Sequence, residues 1–238
     1  MNVFVTGTAS KTGKTFVTAA LASIMQSLSY KTAVYKPIQL GAFEQNSFII
    51  DPDISYVKKI DPYLTAECTY HLKSTMAPVI ASEMEKIKIN PKVILKDYTM
   101  LKDKFDTVIV EGTGGILTPI ASRFTVANLV KMLNLPIVVI TNSTEESVNN
   151  TILTVNHAEA MGIEINGIII NRYPEGTEDM RVKTIPRLLE EYTKASVVGI
   201  IKELDGYGEN TPGSIIDNVL NGVDIEKVFN VKIPKLDV

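Results

Sequence analysis

The first fifteen residues, Met1 to Thr15 (MNVFVTGTASKTGKT), constrain this chain more than any other stretch. Asn2 to Thr6 is a short apolar run and Gly7 breaks it. Apolar residues at helical spacing, Phe16, Val17, Ala20, Leu21 and Ile24, begin directly after Gly13-Lys14-Thr15. The order is strand, glycine turn, helix. Such a turn gathers several backbone N–H groups into one concavity at a helix N-terminus, where the positive end of the helix dipole also lies, and so forms a cradle for phosphate. Lys14 adds charge toward the outer phosphates of a nucleotide, and the Thr15 hydroxyl stands where it can ligate Mg2+. Five residues rather than four separate Gly7 from Gly13, so the loop is a lengthened form of the common pattern.

The remaining chain continues the alternation. Thr32 to Lys36 (TAVYK) reads as a second strand ended by Pro37, and Ile38 to Asp51 has no clear period and reads as a loop. Asp53 stands at the start of a helix that ends by Pro62, and Ala77 to Lys86 and Pro91 to Lys104 read as two more, the second capped by Asn90. Phe105 to Glu111 (FDTVIVE) is a nearly continuous β-branched run stopped by Gly112-Thr113-Gly114-Gly115, as a buried parallel strand reads. Pro136 to Thr141, Ile165 to Asn171 and Ser196 to Ile201 repeat the type, with helical segments at Thr125 to Leu133, Glu146 to Met161 and Arg181 to Thr193. This pattern predicts an α/β fold: a doubly wound, mostly parallel sheet flanked by helices, with ligands at the carboxyl ends of the strands. With 238 residues and no repeat or linker, residues 1–238 are expected to form one domain.

Three further residues bear on chemistry. Glu111 ends a buried strand before a glycine turn, which places a carboxylate beside a phosphate cradle, able to hold Mg2+ directly or through water. Lys36 ends the second strand, so its ammonium reaches the same sheet edge and can neutralise a phosphoryl group or an anionic substrate. Asp53, taken alone, reads as a helix cap.

Composition narrows the partners. Apolar residues make up 45% and charged ones 21%, ordinary for a chain with a large core, and the net charge of −3 comes without a basic run. Neither nucleic acid nor a membrane is implied. The single cysteine, Cys68, cannot form an intramolecular disulfide, and no Cys/His spacing matches a zinc site. Neither His71 nor His157 is linked to Cys68 by a triad pattern, so the thiol reads as packed or surface-lying. With no signal-like N-terminal segment, the expected location is cytoplasmic.

Together these stretches resemble the dethiobiotin synthetase family. The likeness rests on GTASKTGKT, on YKPIQLG at Tyr35 to Gly41, on VEGTGG at Val110 to Gly115 and on the LTPIASRFTVANLV that follows, and it extends from Asn2 to about Glu209. The resemblance implies an ATP- and Mg2+-dependent enzyme in which 7,8-diaminononanoate takes up CO2 as a carbamate, ATP phosphorylates it, and the second amine closes a cyclic urea. It implies catalytic roles for Lys14 and Lys36, and metal ligation by Thr15, Asp53 and Glu111. It assigns ATP binding to Lys11, Thr12, Gly13, Lys14, Thr15, Phe16, Asp53, Glu111, Gly112, Thr113, Gly114, Asn171, Arg172 and Glu209. It also implies a homodimer with the site at the subunit interface, where the loop after the PIVVI strand helps hold the substrate carboxylate.

The chain departs from the family pattern at Leu40, where a hydroxyl residue is usual, at Glu145-Glu146-Ser147, where a small turn is usual, and at Lys202, where proline is common. Two carboxylates facing an anionic substrate would repel it unless they turn outward. Two other readings share the scaffold: a related ATP-dependent amidoligase, and a nucleotide-switch ATPase of the ParA and MinD group. The latter places a second lysine five residues before the loop lysine, where this chain has Ala9.

Overall fold

The structure is a computed structural model, and it describes residues 1–204 and 210–233. Strand β1 (Asn2–Gly7) turns through the glycine loop into α1 (Lys14–Ser27), and the chain returns as β2 (Thr32–Leu40). A hairpin of β3 (Phe43–Gln45) and β4 (Phe48–Ile50) leads to α2 (Pro52–Ile60) and β5 (Thr65–Leu72). Next come α3 (Pro78–Met84), α4 (Pro91–Lys102) and β6 (Thr107–Gly115), then a small hairpin of β7 (Pro119–Ala121) and β8 (Phe124–Thr125). The second half runs α5 (Val126–Leu133), β9 (Ile137–Asn142), α6 (Glu145–Ala160), β10 (Ile165–Tyr173), α7 (Met180–Lys183), α8 (Ile185–Tyr192) and β11 (Val197–Lys202), followed by α9 (Pro212–Gly222) and α10 (Ile225–Phe229).

Seven strands form one sheet in the order β11-β10-β9-β1-β6-β2-β5, and every ladder in it is parallel. The continuous apolar runs of the strands follow from burial on both faces. Phe4, Val108, Val110, Ile137 and Val139 pack into a core with residues of α4, α5, α6 and α8. Their neighbours Val3, Val5, Ile109, Val138 and Ile140 point the other way, into a core with α1, α2, α9 and α10. The expected doubly wound α/β sheet is therefore present. Among the described residues, no helix is long and apolar enough to cross a membrane.

Strand pairing brings the early glycine loop and two distant segments to one edge. β1 lies beside β6 with Val5 opposite Glu111, and β6 lies beside β2 with Val110 opposite Tyr35. The carboxyl ends of β1, β6 and β2 are thus neighbours, the position at which open α/β sheets bind ligands.

Several local expectations are corrected. β2 does not stop at Lys36 but runs through Pro37 to Leu40, because its ladder with β6 ends at Tyr35 and Pro37 lies beyond the last residue that needs a partner on that side. The stretch expected to be one loop, Ile38 to Asp51, holds the end of β2 and the hairpin of β3 and β4. Asn46 and Ser47 both adopt positive φ (51° and 65°) at its tip, the backbone a two-residue hairpin turn requires. β5 was not anticipated: it is an edge strand whose Glu67, Cys68, Thr69 and His71 hide any apolar alternation. The helix expected over Arg181 to Thr193 is two pieces, α7 and α8, meeting at Thr184 with Pro186 in the first turn of the second.

Candidate active site

The glycine loop holds its shape through backbone conformations that side chains resist. Gly13, the N-cap of α1, has φ 92°, and a Cβ there would lie 2.0 Å from Asn171 Nδ2. A Cβ on Gly7 would lie 2.4 Å from Thr12 Oγ1. The buried Asn171 donates from Nδ2 to the Thr12 carbonyl at 3.0 Å, so the end of β10 braces the loop. Lys14 folds back over the loop and donates to the Ala9 carbonyl at 3.0 Å. Burial, reinforced by the nearby Lys36 charge, lowers the Lys14 pKa to about 8.

Beside the loop, four side chains from four elements meet. Thr15 Oγ1 donates to Glu111 Oε1 at 2.8 Å, and Lys36 Nζ stands 2.7 Å from both Glu111 Oε1 and Asp53 Oδ2. Lys36 Nζ also donates to the Gly112 carbonyl at 3.2 Å. Burial alone would lower the Lys36 pKa, but the Glu111 and Asp53 carboxylates outweigh it and hold the ammonium above its usual pKa. Lys36 is therefore a fixed cation rather than a base. Burial pushes the Glu111 carboxyl up, against the pull of Lys36.

Two hollows adjoin at this cluster, and Gly13, Thr15, Pro52, Asp53 and Arg172 line both. The larger, about 560 Å³, is bounded by Lys11, Lys14, Lys36, Leu40, Glu111, Thr113 and Gly114. The other, about 330 Å³, is walled by Phe16, Tyr56, Ile60, Leu204, Pro212 and Ile215, with Asn171 and Lys202 at its polar side. The larger hollow thus gathers the lysines and the carboxylates of the cluster, while the other offers an aromatic and aliphatic wall with polar groups along one side, features that suit the phosphates and the base of a nucleotide respectively.

Of the residues singled out from sequence, Thr15, Lys36, Asp53 and Glu111 touch directly, while Lys11, Gly13, Lys14, Phe16, Thr113, Gly114, Asn171 and Arg172 line the hollows. Thr12 and Gly112 contribute backbone carbonyls rather than lining. Glu209 lies outside the described residues. Glu145 and Glu146 are exposed in the first turn of α6 and line neither hollow. Sequence reading missed Gln39, whose buried side chain accepts the Asp53 backbone N–H at 3.3 Å, and Tyr56. Tyr56 could have been found by its spacing, three residues from Asp53 and four from Ile60 on the same helix face.

The donor set Thr15, Asp53 and Glu111 is all oxygen, two of it carboxylate, and suits a hard divalent cation such as Mg2+.

Comparison with known proteins places the chain in a family. Residues 1–211 match the family model AAA_26, described as an AAA domain. The chain is 34% identical over 206 residues to the ATP-dependent dethiobiotin synthetase BioD of Anoxybacillus flavithermus, covering 86% of this chain and 92% of that protein. It is 30% identical to the protein of the same name from Clostridium kluyveri, with 87% and 88% covered. Among solved structures, the MinC:MinD cell division protein complex of Aquifex aeolicus matches with a TM-score of 0.60 at 13% identity, covering 99% of this chain and 98% of that one. MinD of Pyrococcus horikoshii, complexed with Mg-ADP, matches at 0.57 and 15%, with 92% and 87% covered. At such identities these two show the fold alone.

Proposed function

The chain belongs to the ATP-dependent dethiobiotin synthetase family, and from that premise we propose that it closes the ureido ring of dethiobiotin from 7,8-diaminononanoate, CO2 and ATP. One amine of the substrate adds to CO2 to give a carbamate. A carbamate oxygen attacks the γ-phosphorus of ATP, releasing ADP and leaving a carbamic-phosphoric anhydride. The second amine then attacks the carbonyl carbon, expels phosphate and closes the ring.

The observation that carries this reading is the Lys36 ammonium, fixed in the wall of the larger hollow 2.7 Å from both Glu111 and Asp53, the latter lining both hollows. A carbamate is a weak nucleophile and its target is an anion, so the reaction asks for charge neutralisation and alignment more than for a base. Lys36 and Lys14 supply that charge, and the loop amides at the start of α1 hold the phosphates. Thr15, Asp53 and Glu111 would hold Mg2+, which when bound neutralises charge on the triphosphate. The hollow walled by Phe16 and Tyr56 takes the adenine, with Asn171 at its edge, and the larger hollow takes the diamine next to Lys36.

The family resemblance extends the proposal to a homodimer in which the loop after β9 of the neighbouring subunit helps close the substrate site.

The test is turnover with 7,8-diaminononanoate, bicarbonate, ATP and Mg2+, read by mass spectrometry. A cyclic urea formed only with all four supports the reading, whereas ATP hydrolysis without that product contradicts it.

A further inference from the structure

At the free edge of the sheet, outside both hollows, the structure gathers one nitrogen, one sulfur and one oxygen ligand. Asp51, the residue before α2, and Cys68 and His71 of β5 place their ligand atoms within 4.8 Å of one another. We propose that these three side chains form a binding site for a borderline transition-metal ion, with Zn2+ as the fitting chemistry, separate from the oxygen-lined Mg2+ site around Glu111.

The donor set selects the metal. Thiolate, imidazole and carboxylate together are the ligands of zinc and its relatives, while Mg2+ takes oxygen alone. Sequence spacing conceals the set, because Asp51 reaches it from another element. Asp51 occupies the N-cap position of α2, where an aspartate normally accepts from the helix N–H groups, yet its side chain makes no capping bond. Both of its carboxylate oxygens instead face His71 Nδ1, at 2.9 and 2.7 Å. The carboxylate has thus given up its helix for the imidazole.

The reach is suitable. Around a tetrahedral zinc, with bonds of about 2.0 to 2.3 Å, neighbouring ligand atoms stand about 3.3 to 3.6 Å apart. Asp51 and His71 need to part by roughly half an ångström for that, and Cys68 Sγ, within 4.8 Å of both and now in contact with the Tyr70 carbonyl at 3.4 Å, needs to close on them by at most about 1.5 Å. The Asp51 side chain is 10% exposed and that of His71 34%, so water reaches the fourth position from the histidine side. Burial and the Asp51 charge push the Cys68 thiol up to about 12, which removes it as a nucleophile at neutral pH. A bound cation reverses both influences and yields the thiolate. Such an ion would tie the first turn of α2, which carries Asp53, to the sheet edge.

The experiment is a titration of chelator-stripped protein with Co2+ in excess Mg2+, without substrates, so its result is independent of the proposed reaction. Cys68 is the only thiol in the 238 residues, so any thiolate-to-cobalt charge-transfer band reports this residue alone. The expected result is a band saturating at one equivalent, lost in Cys68→Ser and shifted to higher Co2+ in His71→Asn and Asp51→Asn, with Zn2+ abolishing it by competition. Absence of the band in the wild-type chain overturns the site. So does a band whose midpoint is unmoved in both His71→Asn and Asp51→Asn, which would mean that the thiol binds without them.

Discussion

Lys36 and Glu111, 75 positions apart in the chain, meet in a 2.7 Å ion pair whose side chains are 5% and 1% exposed. Removing two charges from water costs several kcal/mol per ion, and a hydrophobic pair of similar volume would often be at least as stable. The pair lies inside β2 and β6, just past the point where their ladder ends at Tyr35, with Asp53 as a second anion on the ammonium and Thr15 as a donor to the carboxylate; under the proposed reaction it is kept for chemistry.

Replacing Lys36 with methionine keeps the length of the side chain and removes its charge. Loss of one stabilising contact to transition-state charge costs about 2.7 to 4 kcal/mol, so kcat is expected to fall by about 10² to 10³. Equilibrium ATP affinity should fall far less. Full turnover in Lys36→Met, in a chain with wild-type circular dichroism, would remove Lys36 from the reaction.

Lys14 carries a dependence on pH whose sign is fixed by its burial. Its folded pKa of about 8 lies below the ordinary 10.5, so below pH 8 the folded state holds a disfavoured charge. Between about 8 and 10.5 the unfolded chain binds more protons than the folded one, and this residue's contribution to stability rises with pH. The shift corresponds to about 3 kcal/mol. Nucleotide-free Lys14→Met should therefore resist urea better than the wild type at pH 7, and the difference should vanish near pH 10.5. An equal difference at both pH values would contradict the account.

Gly13 is held by both conformation and space. Gly13→Ala should weaken ATP binding and destabilise the fold, because its φ of 92° disfavours alanine and the added Cβ would meet Asn171 Nδ2 at 2.0 Å. Adding Asn171→Ala removes the collision but not the backbone strain. Partial recovery of stability in the double variant is expected, and strictly additive losses would show that the contact is not the obstacle.

Thr15→Val retains shape and deletes the hydroxyl that donates to Glu111. The Mg2+ concentration for half-maximal turnover should rise, and Thr15→Ser should restore it. An unchanged Mg2+ midpoint in Thr15→Val would take Thr15 out of the donor set.

Much of this was legible in the sequence because burial on both faces forces recognisable runs: β1, β6, β9 and β10 each carry a stretch rich in Val and Ile that gives way to polar residues or glycine toward its carboxyl end. Glu111 and Lys36 were readable for the same reason, as charged residues interrupting or ending such runs. Asp53 was not, since a carboxylate in a first helical turn is ordinarily a cap, and only the family likeness lifted it from that role. β5 was hidden because an edge strand need not be apolar, and with it went the proximity of Cys68 to Asp51. Gln39 escaped because Pro37 reads as a strand end, although the strand continues past it once β6 has left its side.

The central claim, that a carbamate oxygen attacks ATP beside Lys36, is tested most directly by supplying CO2 labelled with 18O in both oxygens to the enzyme with 7,8-diaminononanoate and ATP. Each turnover should transfer one label to inorganic phosphate and leave one in the ring carbonyl, read by mass spectrometry of both products. Cyclic urea formed with unlabelled phosphate would contradict it.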